Sequence, residues 1–167
     1  MKYVTLDTGL NGAMILYRDA KPVDGLVFEK MGRGINLPPI IEKLNKWKPE
    51  IIYIEGIPTM PHQGVKQTAT QWFVFGQCET IAELYSPKQE IIPAIRWASF
   101  TKKLSINPSN PSKVIAQELV EKFYPSFIEN FRLRKYRGVR KVHDGIADCL
   151  CINMYIARDN FLDFLTP

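Results

Sequence analysis

Residues 51–54, Ile-Ile-Tyr-Ile, form an unbroken apolar run that begins just after Lys48-Pro49 and ends on an acid, Glu55. Alternation with a period of two disappears when neither face of a strand meets water, so this run reads as a central strand covered on both sides. Such a strand needs neighbours on both edges and helices on both faces. Residues 2–7 alternate toward an apolar face and end at Asp7-Thr8-Gly9. Asn11-Gly12 signals a hairpin into a second strand over 13–17, and Val23 to Glu29 reads as a third. Pro38-Pro39 opens a helix with Ile40, Ile41, Leu44 and Trp47 on one face, and Lys48-Pro49 closes it. Pro58 to Gly64 reads as a loop, 67–85 as a helix, Glu90 to Pro93 as a short strand and about 94–104 as another helix. After the loop at 107–110, Ser112 starts a helix reaching about Tyr124. Residues 131–141 read as a basic loop, and Asp144 to Arg158 as a final apolar helix. A meander followed by alternating strands and helices predicts an α/β domain with one mixed sheet covered on both faces. With 167 residues the chain suits a single domain over 1–167.

Several classes are disfavoured. No apolar run is long enough to span a bilayer, and Asp7 would interrupt a secretory signal core, so a cytoplasmic protein with no membrane partner is expected. Cys78, Cys149 and Cys151 are odd in number and contain no Cys-x-x-Cys pair. They read as reduced core thiols rather than a disulfide framework or a zinc site. The formal net charge is +5, but its distribution matters more: residues 88–141 carry twelve Lys or Arg against four Glu, while the remainder has a balance of −3. A basic segment on an otherwise slightly acidic domain predicts a polyanion footprint on one face.

Two acids, Asp7 and Glu55, stand where predicted strands hand over to loops, at the sheet end where open sheets bind ligands. Asp144 and Asp148 are four apart in a predicted helix and share a face. Asp148, flanked by Ala147 and Cys149-Leu150, is an acid in apolar surroundings and needs a partner. Four converging carboxylates repel one another. Divalent cations relieve that repulsion, and Mg²⁺ prefers oxygen ligands. A carboxylate site holding two Mg²⁺, with Mn²⁺ as a substitute, fits phosphodiester hydrolysis, with Asp7 bridging the ions.

The motifs resemble a known family. Leu6-Asp7-Thr8-Gly9-Leu10-Asn11-Gly12-Ala13 is similar to the opening motif of RuvC-like Holliday junction resolvases. Tyr53-Ile54-Glu55 resembles their second motif, and His143-Asp144-Gly145-Ile146-Ala147-Asp148 resembles the final-helix motif of phage-type members. Met60 to Val65, Phe73-Val74-Phe75-Gly76, Pro93 with Trp97, and Lys113 extend the resemblance over nearly the whole chain. It implies an RNase H-like fold, a homodimer and paired nicks in four-way DNA junctions. It also implies metal-ligand roles for Asp7, Glu55, Asp144 and Asp148. The chain departs from the family in three places. Its last two acids are four apart rather than the three of bacterial members. Ala98 follows Trp97 where a lysine is common, leaving Lys102 or Lys103 as substitutes. Pro58 stands where bacterial members place an aromatic wedge.

Lys113 is a candidate to neutralise the scissile phosphate, and His143 to hydrogen-bond a phosphate or the attacking water. Arg132, Arg134, Lys135, Arg137, Arg140 and Lys141 place six cations within ten residues, a pattern suited to gripping a DNA backbone. Two opposed nicks in a two-fold junction call for two chains about a two-fold axis. The helix over 67–85, rich in Trp72, Phe73, Phe75, Ile81 and Leu84, is the expected contact. Rival readings are an RNase H-fold nuclease for other branched DNA or replication intermediates, and a non-catalytic junction-binding protein. A sugar-kinase or actin-like ATPase shares Asp-x-Gly but needs about twice the length, so no nucleotide cofactor is expected.

Overall fold

The computed structural model describes residues 1–57, 64–133 and 141–164. Strands β1 (Lys2–Asp7), β2 (Ala13–Arg18) and β3 (Lys21–Val27) form an antiparallel meander. A small ribbon follows, β4 (Lys30–Met31) with β5 (Gly34–Ile35), then helix α1 (Leu37–Trp47) and strand β6 (Ile51–Gly56). Helix α2 (Val65–Tyr85), strand β7 (Gln89–Pro93) and helices α3 (Ala94–Leu104), α4 (Ser112–Phe123), α5 (Pro125–Ile128) and α6 (Asp144–Ile156) complete the described elements, with 3-10 turns at Glu129–Phe131 and Arg158–Phe164. The large sheet has the order β3-β2-β1-β6-β7, with β6 parallel to both β1 and β7. This is the RNase H-like arrangement, a mixed five-stranded sheet with helices on both faces. Among the described residues no helix is long and apolar enough to cross a membrane.

Period-two alternation divides the core in two. Val4, Leu6, Ile52 and Ile54 face α1 and α2, while Tyr3 and Tyr53 face α3, α4 and α6. The second face therefore also receives Thr5 and Asp7 from β1 and Glu55 from β6. Parallel pairing of Leu6 with Ile54 brings the ends of the two strands level. The alternation that fills the core thus also delivers two carboxylates to the same side of the same sheet end.

Helix α6 crosses that side and is buried nearly all round, consistent with its apolar sequence. It runs against the direction of β1. Gly145 lies at Asp7, the Cys149 carbonyl accepts hydrogen bonds from Thr5 and Tyr17, and the Asn153 side chain accepts one from Tyr3. Four helical residues rise about 6 Å and two strand residues about 6.6 Å, so helix and strand stay in step. Asn153 also donates to the Ala20 carbonyl and the Tyr124 hydroxyl, which leaves its buried amide fully employed.

Several boundaries differ from the sequence expectation for clear reasons. The β1–β2 hairpin forms, but through residues 8–12, and neither Asn11 nor Gly12 has a positive φ. Gly12 serves close approach instead: a Cβ there would stand 2.7 Å from the Gly9 carbonyl oxygen. The two-residue turn with two positive φ values is Asp19-Ala20, at 49° and 63°, and Asp19 is held by the N-terminal ammonium at 2.7 Å. That turn starts β3 at Lys21 rather than Val23, and Pro22 is tolerated because β3 is an edge strand. Helix α6 stops at Ile156 and a 3-10 turn takes over.

Gly145 is the tightest joint between α6 and the sheet. A Cβ at this position would stand 2.7 Å from the Asn11 carbonyl oxygen and 2.8 Å from Asp7 Oδ2. Replacing a helical glycine by alanine ordinarily stabilises by about 1 kcal/mol. Here Gly145→Ala should instead destabilise, by roughly 1–3 kcal/mol, because rigid backbone must yield. Urea denaturation measures the sign, and a more stable variant would show that this joint has slack.

Candidate active site

Asp7, Glu55, Asp144 and Asp148 line one cavity of 580 Å³ at the sheet end, together with Lys113 and residues of the β1–β2 connection. Each acid arrives by a different local device. Asp7 ends β1 and is buried, with the Gly9 N–H donating to its Oδ1 at 3.1 Å. Glu55 is the penultimate residue of β6, and the Thr8 hydroxyl, just past β1, donates to the Glu55 carbonyl at 3.2 Å and ties the two strand ends together. Asp144 is the first residue of α6, with His143 at the capping position, and Asp148 follows one turn later. The four-residue spacing brings both Asp side chains to the cavity, as expected from their sharing a helical face.

The electrostatics match a site short of positive charge. Burial raises the protonation of Asp7, whose carboxyl lies within hydrogen-bonding reach of Glu55. Burial, then the nearby charge of Asp7, pushes Glu55 well above the usual carboxylate range. Burial, with Asp7 and Asp144 as like-charged neighbours, pushes Asp148 up to about 8. Lys113 donates to Asp144 Oδ2 at 2.7 Å, and this contact raises its own pKa. His143 is half-buried, and desolvation favours its neutral form.

Among the described residues, three buried side-chain atoms lack a hydrogen-bond partner: Gln71 Oε1, Trp97 Nε1 and His143 Nδ1. All three belong to this neighbourhood. Gln71 lines the cavity, Trp97 faces Glu55, and His143 precedes Asp144. Orphaned buried polar groups are rare in finished interiors, and their clustering marks a place where another component belongs. The donor set is all oxygen, which suits Mg²⁺ or Mn²⁺. As they stand, however, no three His, Cys, Asp or Glu among the described residues are arranged to hold a metal ion. Asp144 is occupied by the Lys113 ammonium, so gathering all four acids requires this ion pair to open. The residues fit such an ion in chemistry, and side-chain rotation would have to bring them to it.

The other expected site residues are placed less uniformly. Lys102 and Lys103 are exposed on the last turn of α3 and do not line the cavity. Lys141 is exposed beside a groove bordering Asp144. Arg132 is not a free cation: it makes paired hydrogen bonds to Glu121 at 2.5 and 2.8 Å and a third to Glu129 at 2.8 Å. Pairing of Arg132 with Val142, and of the Leu133 N–H with the Lys141 carbonyl, anchors the strand leading into α6. Arg134, Lys135, Arg137 and Arg140, and the wedge position Pro58, lie outside the described residues. Sequence reasoning overlooked Gln67 and Gln71 as cavity residues. Their signal was available: two carboxamides one turn apart, on a helix that follows closely after Glu55.

No protein-family model matches the chain, and no curated protein matches it in sequence. The fold is nonetheless similar to solved structures. One is Thermus thermophilus RuvC in complex with a Holliday junction substrate, at 12 % identity and a TM-score of 0.56, covering 98 % of each chain. Another is a second Thermus thermophilus RuvC structure, at 14 % identity and a TM-score of 0.51, again over 98 % of each chain. At these identities the likeness establishes a shared RuvC-like, RNase H-like fold over the length of the chain.

Proposed function

We propose that this chain is a metal-dependent endonuclease that resolves four-way DNA junctions by paired nicks. The observation that carries the reading is the convergence of four acids from three elements in one cavity, with a lysine beside them, in a RuvC-like fold. Asp7, Glu55, Asp144 and Asp148 would hold two Mg²⁺, or Mn²⁺, which supply an activated water and neutralise charge at the phosphate. The chain's own residues do the rest. The Gly9 N–H keeps Asp7 turned toward the cavity. Lys113, released from Asp144, takes the negative charge of the scissile phosphate. Lys141, with Arg134, Lys135, Arg137 and Arg140, grips the DNA backbone. Arg132 holds the entry to that segment through Glu121 and Glu129.

The decisive experiment is cleavage of a synthetic four-way junction, mapped on all four strands, beside a flap and an RNA–DNA hybrid. Asp7→Asn, Glu55→Gln and Asp148→Asn should each abolish cutting and leave junction binding largely intact, since a neutral amide is a poor Mg²⁺ ligand. Near wild-type cutting by any of them at saturating Mg²⁺ would overturn the assignment. Preference for the flap would redirect the reading to other branched DNA.

The raised carboxyl pKa values fix a pH dependence. Above about pH 4, where the unfolded chain has released its carboxyl protons, the folded, metal-free protein still holds protons on Asp7, Glu55 and Asp148, and Asp148 keeps its share up to about pH 8. Stability from these groups is therefore present at low pH and lost as pH rises through the folded values. Mg²⁺ takes the ionised form, so it should displace protons and stabilise more at about pH 8 than at about pH 6. Melting temperatures across this range, with and without Mg²⁺, test it. A flat metal-free profile with no Mg²⁺ effect at the upper end would contradict the site.

The reading includes a homodimer built on α2. Phe75 and Ile81 turn inward, but Trp72, Phe73 and Leu84 are exposed and border a groove of 530 Å³ against α1. Large apolar side chains left together on one surface mark an interaction site. Phe73→Glu should convert a dimer to a monomer in sedimentation and turn paired cuts into single nicks. A variant that stays dimeric and still cuts in pairs would place the interface elsewhere.

A further inference from the structure

Trp97 has no part in the assignment above, yet its side chain is unusual among the tryptophans of this chain. The indole of Trp47 donates to Asp24 at 3.0 Å, as a buried N–H ordinarily finds an acceptor. Trp97 is only 6 % exposed, its Nε1 is buried, and that nitrogen has no bonded partner among the described residues. Its place in the fold explains where the N–H is directed. Strand β7 pairs with β6 so that Ile92 stands opposite Glu55 and Pro93 opposite Gly56, and α3 begins immediately after Pro93. Trp97 therefore sits in the first turn of α3, beside the end of β6. This register sets the indole beside the Glu55 carboxyl, and its buried N–H closes no hydrogen bond there.

An ionised carboxylate engaged with a cation through one oxygen has the other free to accept from the indole. Metal-binding carboxylates are commonly held in orientation by such donors behind them. We infer that Trp97 is a positioning residue: its indole N–H holds one oxygen of Glu55 so that the other is presented to a divalent cation. This inference rests on the metal-site reading of the four acids. The packing role of Trp97 against the core is separate, since the ring, not the N–H, supplies it.

The test removes the N–H and keeps the ring. Trp97→Phe is the simple variant. Replacement of Trp97 by benzothienylalanine, which has sulfur in place of the N–H, preserves the ring shape should the phenyl leave a void. Mn²⁺ binding is measured by calorimetry without DNA, beside melting temperature and junction binding in the absence of metal. Both variants should keep their fold and their junction affinity, and bind Mn²⁺ roughly tenfold or more weakly. If wild type binds Mn²⁺ and the benzothienyl variant binds it equally, Trp97 is only a core residue and the inference falls. If wild type binds no Mn²⁺ while Asp7→Asn behaves identically, the metal-site reading falls and this inference falls with it.

Discussion

The rest of the site depends on how closely the first turn of α6 sits on the connection between β1 and β2. Two glycines make the contact, Gly145 on the helix and Gly12 on the connection, and neither leaves room for a side chain. With this end fixed, one helical turn matches two strand residues, and α6 follows β1 from Asp7 to Tyr3. Asn153 secures the far end through Tyr3, Tyr124 and Ala20. Asp144 and Asp148 are therefore placed by a backbone contact at one end and a buried amide network at the other. Moving the helix by even a methyl group's width would move both acids relative to Asp7.

The site combines a strained charge state with an incomplete set of partners. Burial opposes ionisation of Asp7, Glu55 and Asp148, and the one cation lining the cavity among the described residues, Lys113, is committed to Asp144. Buried charge without compensation is costly, and three unpartnered polar atoms stand in the same neighbourhood.

Much of this was legible in the sequence, and the reasons are particular. The run at 51–54 announced its central strand because burial on both faces erases alternation, and the acids at 7 and 55 follow directly from where those strands end. The pairing of Asp144 with Asp148 needed only helical geometry. Other features had no linear signature. Asp19-Ala20 adopts a turn that usually recruits Asn or Gly, so composition concealed it. The ribbon of β4 and β5 has two residues per strand, too few for any period to show. Arg132 looked like one cation in a basic run because its partner Glu121 lies on a different element. Trp97 entered only as part of the family resemblance; its burial and its place beside Glu55 depend on the register of β7 against β6.

The acids come from the first strand, from a strand a third of the way along, and from a helix near residue 150, and no two of these elements are neighbours in the chain. A centre divided in this way cannot exist in a fragment. A chain that has paired its sheet but not yet docked α6 holds half of the carboxylates and nothing to complete them. The topology therefore makes the centre all-or-none: the four-acid cavity arrives only with complete folding, and is lost again with the first local melting of α6.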